Sequence, residues 1–264
     1  MHYVLCSSLT VGASGINVQN NIFDGCLDSM AYFAQAKKAT EVLDDATNVA
    51  YLSFDNNNLL DSGPLLINGT GMNYSFTSSG RVKQCLTLSG TSSYVQITGL
   101  RRLGINDWPY TFAIWIYPKI NSFGTIIYLS IEISPTTPTF SWCLPVMGFT
   151  SSGHVSINCW GEGIVSIIGP SIPLLAWTHV AVTYSSNNGQ RLYINGTQYG
   201  SLTAAFDFVA GGVPMSVTLG SSLGGTNICQ HGAVVVGQYQ GSLDEFRVYA
   251  RELAAAEVAQ LSNS

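Results

Sequence analysis

Charged side chains are scarce in this chain. Asp, Glu, Lys and Arg make up 9% of its 264 residues, against about 25% in ordinary globular proteins. The ten Lys and Arg are outnumbered by fifteen Asp and Glu. No basic stripe is therefore on hand to neutralise phosphates, and nucleic acid is excluded as a partner. Long apolar runs are missing too. The longest, near 164–177, is broken by Gly169, Pro170 and Pro173, too short and interrupted to insert in a bilayer. The six cysteines stand apart from one another, with no pair two to four residues apart, so zinc-ribbon and thioredoxin-like spacings are absent.

What remains is rich in carbon. Hydrophobic residues make up 46% and aromatic ones 11%, and the polar remainder is mostly Ser, Thr, Asn and Gly. Such a chain folds, because disorder needs low hydrophobicity and high charge. Three sequons occur, at Asn68, Asn73 and Asn195, each a glycan acceptor if the chain is secreted. The even cysteine count, the low charge and the sequons together point to an extracellular setting with disulfides. The first fifteen residues carry no basic residue ahead of their short apolar stretch, unlike a signal peptide. They read as an internal piece of a longer secreted chain.

An internal repeat sets the expected boundaries. Phe23-Asp-Gly-Cys-Leu-Asp28 matches Tyr239-Gln-Gly-Ser-Leu-Asp244 at an offset of 216. The same offset continues without a gap through Ala34 with Ala250, Glu41 with Glu257 and Val42 with Val258. A period that long means tandem domains rather than a solenoid. Residues 1–46 are therefore expected to be the C-terminal remnant of a preceding repeat, and 47–264 a complete domain. Within the latter, alternating or continuous apolar runs recur between turn residues, including 49–54, 84–88, 94–97, 111–117, 154–160, 177–184, 233–238 and 242–249. The second and third of these flank Gly90-Thr-Ser-Ser and read as a hairpin. Asn195-Gly196 reads as a two-residue hairpin turn. In the complete domain only 253–261 has a helical period. The expected fold is all-β: a two-sheet antiparallel jelly-roll sandwich with one short C-terminal helix. Trp115 and Trp177 are expected to fill the space between sheets. His179 is expected to be a partly buried imidazole bonded to a backbone carbonyl.

Five stretches then resemble one family, in its order. They are Tyr51-Leu-Ser-Phe-Asp55 followed by Asp61-Ser-Gly63, and Leu86-Thr-Leu-Ser-Gly90 before Tyr94-Val95. Thr111-Phe-Ala-Ile-Trp115 comes next, then Trp177-Thr-His-Val-Ala-Val-Thr-Tyr184 with Arg191-Leu-Tyr-Ile-Asn-Gly196. Last is Gly241-Ser-Leu-Asp-Glu-Phe-Arg-Val-Tyr249, which runs on to Leu253-Ala-Ala-Ala-Glu257. They are similar to the laminin-G-like jelly roll, within the concanavalin-like lectin/glucanase group, over residues 49–261. The resemblance implies a structural calcium held by Asp244 with Asp55 or Asp61, in turns whose oxygens suit that ion. Glucanases of the group need clustered carboxylates. No Glu-x-Asp-x-Glu spacing occurs, and Asp244 and Glu245, being adjacent, point to opposite faces of a strand. Gly220-Ser-Ser-Leu-Gly224 fits a nucleophile elbow but lacks the helix that must follow.

Catalysis is therefore not expected. The leading reading is an extracellular recognition or adhesion module, one repeat beside others, binding glycan or an extracellular protein through rim loops. The alternatives are an accessory or degenerate domain of a carbohydrate-active enzyme and a purely structural spacer. The rim tips near Asn57, Trp108, Trp160 and Gly224–His231 offer residue types that stack on sugars or hydrogen-bond to them. Cys6 and Cys26 fall opposite each other in an N-terminal hairpin and are expected to bridge. Among the three pairings of the other four thiols, Cys143–Cys229 is favoured because both lie where loops meet at one rim. Cys85 reads as an apolar filler. Cys159 falls opposite Pro145, two residues out of register with Cys143.

Overall fold

The computed structural model describes residues 11, 23–27, 30, 32–119, 124–131, 142–200, 203–223 and 229–263. The chain divides into two compact units, Met1–Ala39 and Thr40–Ser264. In the first, Lys37 Nζ lies 3.7 Å from the ring centre of Phe33. The expected N-terminal hairpin lies largely outside the described residues.

Helix α1 (Ala39–Thr47) starts at the last residue of the first unit and otherwise belongs to the second, and β1 (Asn48–Leu52) follows it. Then come β2 (Thr70–Met72), β3 (Tyr74–Thr77), β4 (Cys85–Leu88), β5 (Tyr94–Leu100), β6 (Tyr110–Pro118) and β7 (Thr125–Ser130). They are followed by β8 (Cys143–Phe149), β9 (His154–Trp160), β10 (Ile164–Ser171), β11 (Thr178–Ser185), β12 (Gly189–Ile194) and β13 (Thr197–Tyr199). The unit closes with β14 (Met215–Leu219), β15 (Gly241–Tyr249) and α2 (Ala255–Leu261). The two helices begin 216 residues apart, the offset of the sequence repeat. Neither is long and apolar enough to cross a membrane.

The strands make two antiparallel sheets. One runs β13-β12-β11-β6-β15-β4-β3 with β1 added on β15, and the other runs β10-β9-β8-β7-β14-β5-β2. This is the expected jelly-roll sandwich. Alternation does the sorting: Leu86 and Leu88, Phe112, Ile114 and Ile116, and Val180 and Val182 meet Val95, Ile97, Leu129, Ile157, Val217 and Leu219 in one core. At about 25 cal/mol per Å² of buried apolar surface, that shared core is the main source of stability. Outside the first sheet, Ala113 and Ala181 are small enough for Leu253 and Val258 to pack on them beside Tyr193 and Tyr249. Glu257 fixes the start of α2, accepting the Ala254 N–H at 2.8 Å and a two-pronged contact from Arg251 at 2.8 Å.

Strand β15 changes partner midway. Residues 241–243 pair with β4, whereas 246–249 pair with β1. The break falls at Asp244 and Glu245, a bulge in the register against β6, and Glu245 has φ 51° there. Bulges re-aim side chains in this way.

Local expectations divide. The β8–β9 hairpin sets Met147 opposite Ile157, the register that keeps Cys159 away from Cys143. Asn195 and Gly196, at φ 49° and 77°, join β12 to β13 with Ile194 opposite Thr197, the expected two-residue turn. Strands β4 and β5 are not a hairpin: the chain crosses there from one sheet to the other, with Ser93 Oγ accepting the Gly90 N–H at 2.8 Å. Residues 233–238 are not a strand either. They run from a turn, closed by the Val234 N–H on His231 O at 3.0 Å, along β8, with Val234 against Gly148 and the Val235 N–H bonded to Phe149 O at 2.8 Å. Trp115 does not lie between the sheets. Its neighbours Ile114 and Ile116 face the core, so Trp115 faces out. Trp177 precedes β11 and packs half-exposed on Tyr117.

Candidate functional site

One rim of the sandwich carries a cleft of about 760 Å³ between the turn joining β9 to β10 and the chain ahead of β14. Gly161, Glu162, Gly163, Ile164 and Val165 form one wall, Ala205, Phe206, Asp207 and Val209 the other, and Ser186 closes the end. Phe206 is half-buried, while Glu162 and Asp207 are exposed.

The second wall has no helix or strand of its own, yet six hydrogen bonds hold its main chain. Tyr184 Oη donates to Phe206 O at 2.8 Å and accepts from the Phe208 N–H at 2.7 Å. Asp107 N–H bonds to Phe208 O at 3.0 Å, and Val209 N–H to Trp160 O at 2.9 Å. Trp142 Nε1 donates to Val209 O at 2.9 Å, and Asn106 Oδ1 accepts the Ala210 N–H at 2.9 Å. Beneath lies an aromatic base: Tyr184 stacks on Tyr110 at 5.2 Å, and Phe208 packs edge-on against Tyr110, Tyr184 and Trp142. Burial pushes the Tyr184 hydroxyl well above its ordinary pKa, so it stays a neutral hydrogen-bonding group. The cleft thus offers an aromatic edge, a hydroxyl and two carboxylates on a preorganised frame.

The residues expected to bind ligand fare differently. Trp160 precedes the first wall in the chain, packs partly buried against the core and anchors Val209 through its carbonyl, but does not line the cleft. Trp108 lies on the loop that supports the second wall, but its Nε1 bonds to Ala250 O at 3.1 Å and Arg102 covers its ring at 4.8 Å. Asn57 stands apart, in the short turn Asp55–Asn57. Phe206 and Asp207 escaped the sequence reading because they lie outside any apolar alternation. The Phe-Asp-Phe triplet was the one signal there. The Gly224–His231 tip is described only from Cys229. His231, His154, Ser152 and Ile168 line a second groove of about 600 Å³, with Ser152 Oγ 3.0 Å from His154 Nδ1.

Each acid of the expected calcium site, Asp244 with Asp55 or Asp61, accepts backbone N–H groups. Asp61, 5% exposed, accepts the N–H groups of Tyr51 and Gly63 on Oδ1, at 2.7 and 2.8 Å, and of Ile67 on Oδ2, at 2.8 Å. Asp55 accepts from Gln84 N–H and pairs with Lys83, both at 3.2 Å. Asp244 accepts from Val82 N–H at 2.9 Å and Glu245 N–H at 3.0 Å. No group of three or more His, Cys, Asp or Glu suited to a metal occurs among the described residues. All three carboxylates thus cap backbone N–H groups of neighbouring loops. Glu245, across the bulge, accepts from Tyr51 Oη at 2.7 Å and Arg247 at 2.8 Å.

Cys143 and Cys229 form a disulfide with their Cα atoms 5.4 Å apart. Cys85 and Cys159 are buried free thiols, and Cys26 is an exposed one. Cys6 lies outside the described residues. Burial pushes Cys159 up to about 12, and its sulfur accepts from Tyr110 Oη at 3.1 Å, so it is inert filling. All three sequon asparagines are exposed. Asn68 and Asn195 use Oδ1 to accept the N–H groups of Asp61 and His179, each at 2.9 Å, whereas Asn73 donates Nδ2 to Ser92 Oγ at 2.8 Å.

Comparison with known proteins agrees with this architecture. No curated protein sequence matches. Among solved structures, domain 4 of the GH43 extracellular arabinanase of Geobacillus stearothermophilus, in complex with arabinotriose, superposes with a TM-score of 0.55 at 20% identity, covering 81% of this chain and 98% of that one. The binding domain of Paraclostridial Mosquitocidal Protein 1 gives 0.58 at 17% identity, over 83% of this chain and 52% of that one. The ligand-binding domain of botulinum neurotoxin serotype D, in complex with N-acetylneuraminic acid, gives 0.56 at 14%, over 86% and 52%. The chain spans about half the length of either toxin domain. A laminin-G-like family model, described as concanavalin A-like lectin/glucanases superfamily, matches residues 89–259. With the two-sheet jelly roll, this match places the chain in the concanavalin A-like lectin/glucanases superfamily as a laminin-G-like domain.

Proposed function

We propose that this domain is a non-catalytic, extracellular carbohydrate-recognition module that takes a neutral glycan in the rim cleft. The observation that carries the reading is Phe206 flanked by Glu162, Asp207 and Ser186 on a wall whose main chain is already fixed. An aromatic ring takes the apolar side of a sugar, and carboxylates accept hydrogen bonds from its hydroxyls. The arabinanase domain solved with arabinotriose and the neurotoxin domain solved with N-acetylneuraminic acid support carbohydrate as the ligand class. Two carboxylates in one cleft repel an anionic sugar, so neutral glycans are favoured over sialylated ones. The disulfide and exposed sequons support the extracellular setting. The adjacent acids Asp244 and Glu245 are both committed to bonds within the fold, which supports a role without catalysis.

A glycan array carrying neutral and sialylated structures tests this, followed by titration calorimetry on the best binder. Phe206→Ala is expected to weaken binding about five- to hundredfold, the scale of a ring stacked on an aromatic side chain at about 1–3 kcal/mol. Glu162→Gln with Asp207→Asn is expected to weaken neutral binding and reduce discrimination against sialylated glycans. Binding untouched by all three changes would remove the cleft from the reading. Hydrolysis of any glycan bound would remove the non-catalytic role.

A further inference from the structure

The outer face of the eight-stranded sheet contains a second arrangement, sharing no lining residue with the rim cleft. Among the buried polar atoms of this sheet that lack a protein partner, Trp115 Nε1, His179 Nδ1 and Arg247 Nε stand on neighbouring strands. Trp115 on β6 stands opposite His179 on β11 and Asp244 on β15, and Arg247 follows on β15 beyond the bulge, opposite Ala113. The Trp115 and His179 rings meet edge-on at 5.3 Å, 6% and 2% exposed respectively. Burial, with Arg247 nearby, pushes His179 down to about 3, so the imidazole is neutral. An outward-facing tryptophan is this well covered because the Arg81 guanidinium lies over its ring, 4.6 Å from the centroid. Arg81 itself is exposed, and among the described residues no carboxylate pairs with it. Its loop is tied down from below, where Asp244 accepts the Val82 N–H. Gly80 allows that approach, since a Cβ there would lie 2.9 Å from Asp244 Oδ2.

A flat aromatic face, two N–H donors and a neutral imidazole nitrogen set a narrow demand. The donors need acceptors, and the imidazole nitrogen needs a group that donates or accepts according to its tautomer. Hydroxyl groups do both, and a sugar ring adds an apolar face for the indole. Asp244 and Glu245 on one side and Arg247 on the other leave no net preference for charge.

We propose that Trp115, His179 and Arg247 form a binding site for a neutral, pyranose-sized polyol, with Arg81 as its displaceable cover. Saturation-transfer NMR with methyl glycosides of glucose, galactose and mannose tests it, using Phe206→Ala with Glu162→Gln and Asp207→Asn as the background so that the rim cleft is disabled at each residue invoked for it, and taking the transfer lost on Trp115→Phe as this site's share. Arg81→Ala, an exposed change that leaves the core untouched, is expected to tighten the apparent Kd for the best glycoside about two- to five-fold, the worth of one exposed cation–π contact. Trp115→Phe added to Arg81→Ala is expected to abolish the signal, and a soaked Arg81→Ala crystal to show the sugar ring on Trp115. No transfer to Arg81→Ala, weaker binding by it, transfer indifferent to Trp115→Phe, or only water over Trp115 in the soaked crystal would each overturn the assignment. Because the background lacks Phe206, failure here leaves the rim-cleft reading standing, and failure of the rim cleft leaves this one standing.

Discussion

Asp244 shows most plainly how one side chain reports its surroundings. Burial pushes its carboxyl from 3.8 up to about 7, the Glu245 charge adds to the rise, and the Val82 N–H works against it. The folded protein therefore holds this proton more tightly than the unfolded chain. Its contribution to stability is full below about pH 4, declines as pH rises toward 7 and stays lost above. Glu257, held below its ordinary 4.5 by Arg251, has the opposite sign and loses its contribution on acidification. Asp244→Asn removes the charge and also turns one of the two accepting oxygens into an NH2. We expect the stability of the variant relative to the parent to rise by on the order of 3 kcal/mol between pH 4 and pH 8, read by urea unfolding at both values. Equal differences at the two pH values would show that Asp244 does not carry this proton. Residue-scale chemistry was only partly legible beforehand. Asp61 and Asp244 stood out as acids in a chain with few. That each is consumed by backbone N–H groups follows from the path of loops distant in sequence. His179 likewise gave no sign that its ring nitrogen would lie buried without a partner.

At the scale of elements, the strands with continuous apolar runs were legible because both faces of β6, β11 and β15 are covered, one by the opposite sheet and the other by α2 or by loops. Strands β2 and β13 are exposed throughout and carry no period for a reader to find. The crossing between β4 and β5 was misread because a turn between sheets and a turn within one use the same small residues. The loop from Leu60 to Gly69 has no regular structure, yet Asp61 organises it through three N–H groups and Asn68. Asp61→Ala strands all three donors and is expected to cost on the order of 3 kcal/mol in denaturant unfolding. The same saturation predicts that millimolar calcium and its chelation leave the melting temperature unchanged. A calcium-dependent rise would show that this acid has a second employer.

At the scale of the whole molecule, one covalent bond spans the middle of the chain. Cys143 and Cys229 are 86 residues apart. Removing that cross-link restores about 4–5 kcal/mol of chain entropy to the unfolded state. Cys143→Ala with Cys229→Ala is expected to lower stability by that order, measured against the parent in guanidinium without reductant. A parent whose midpoint does not move on adding reductant would show that the bond contributes nothing. The choice of this pair was legible from strand positions alone, whereas the rim cleft was not, because its second wall belongs to no periodic element. That wall has a further consequence. All six of its anchors end on main-chain atoms of residues 206–210, so the side chains of Ala205, Asp207 and Val209 carry no share of the framework. A population of sequences can exchange them freely, as can a randomised library, and each exchange alters what the cleft recognises while the backbone keeps its course. The domain is thereby suited to diversify its ligands faster than its fold.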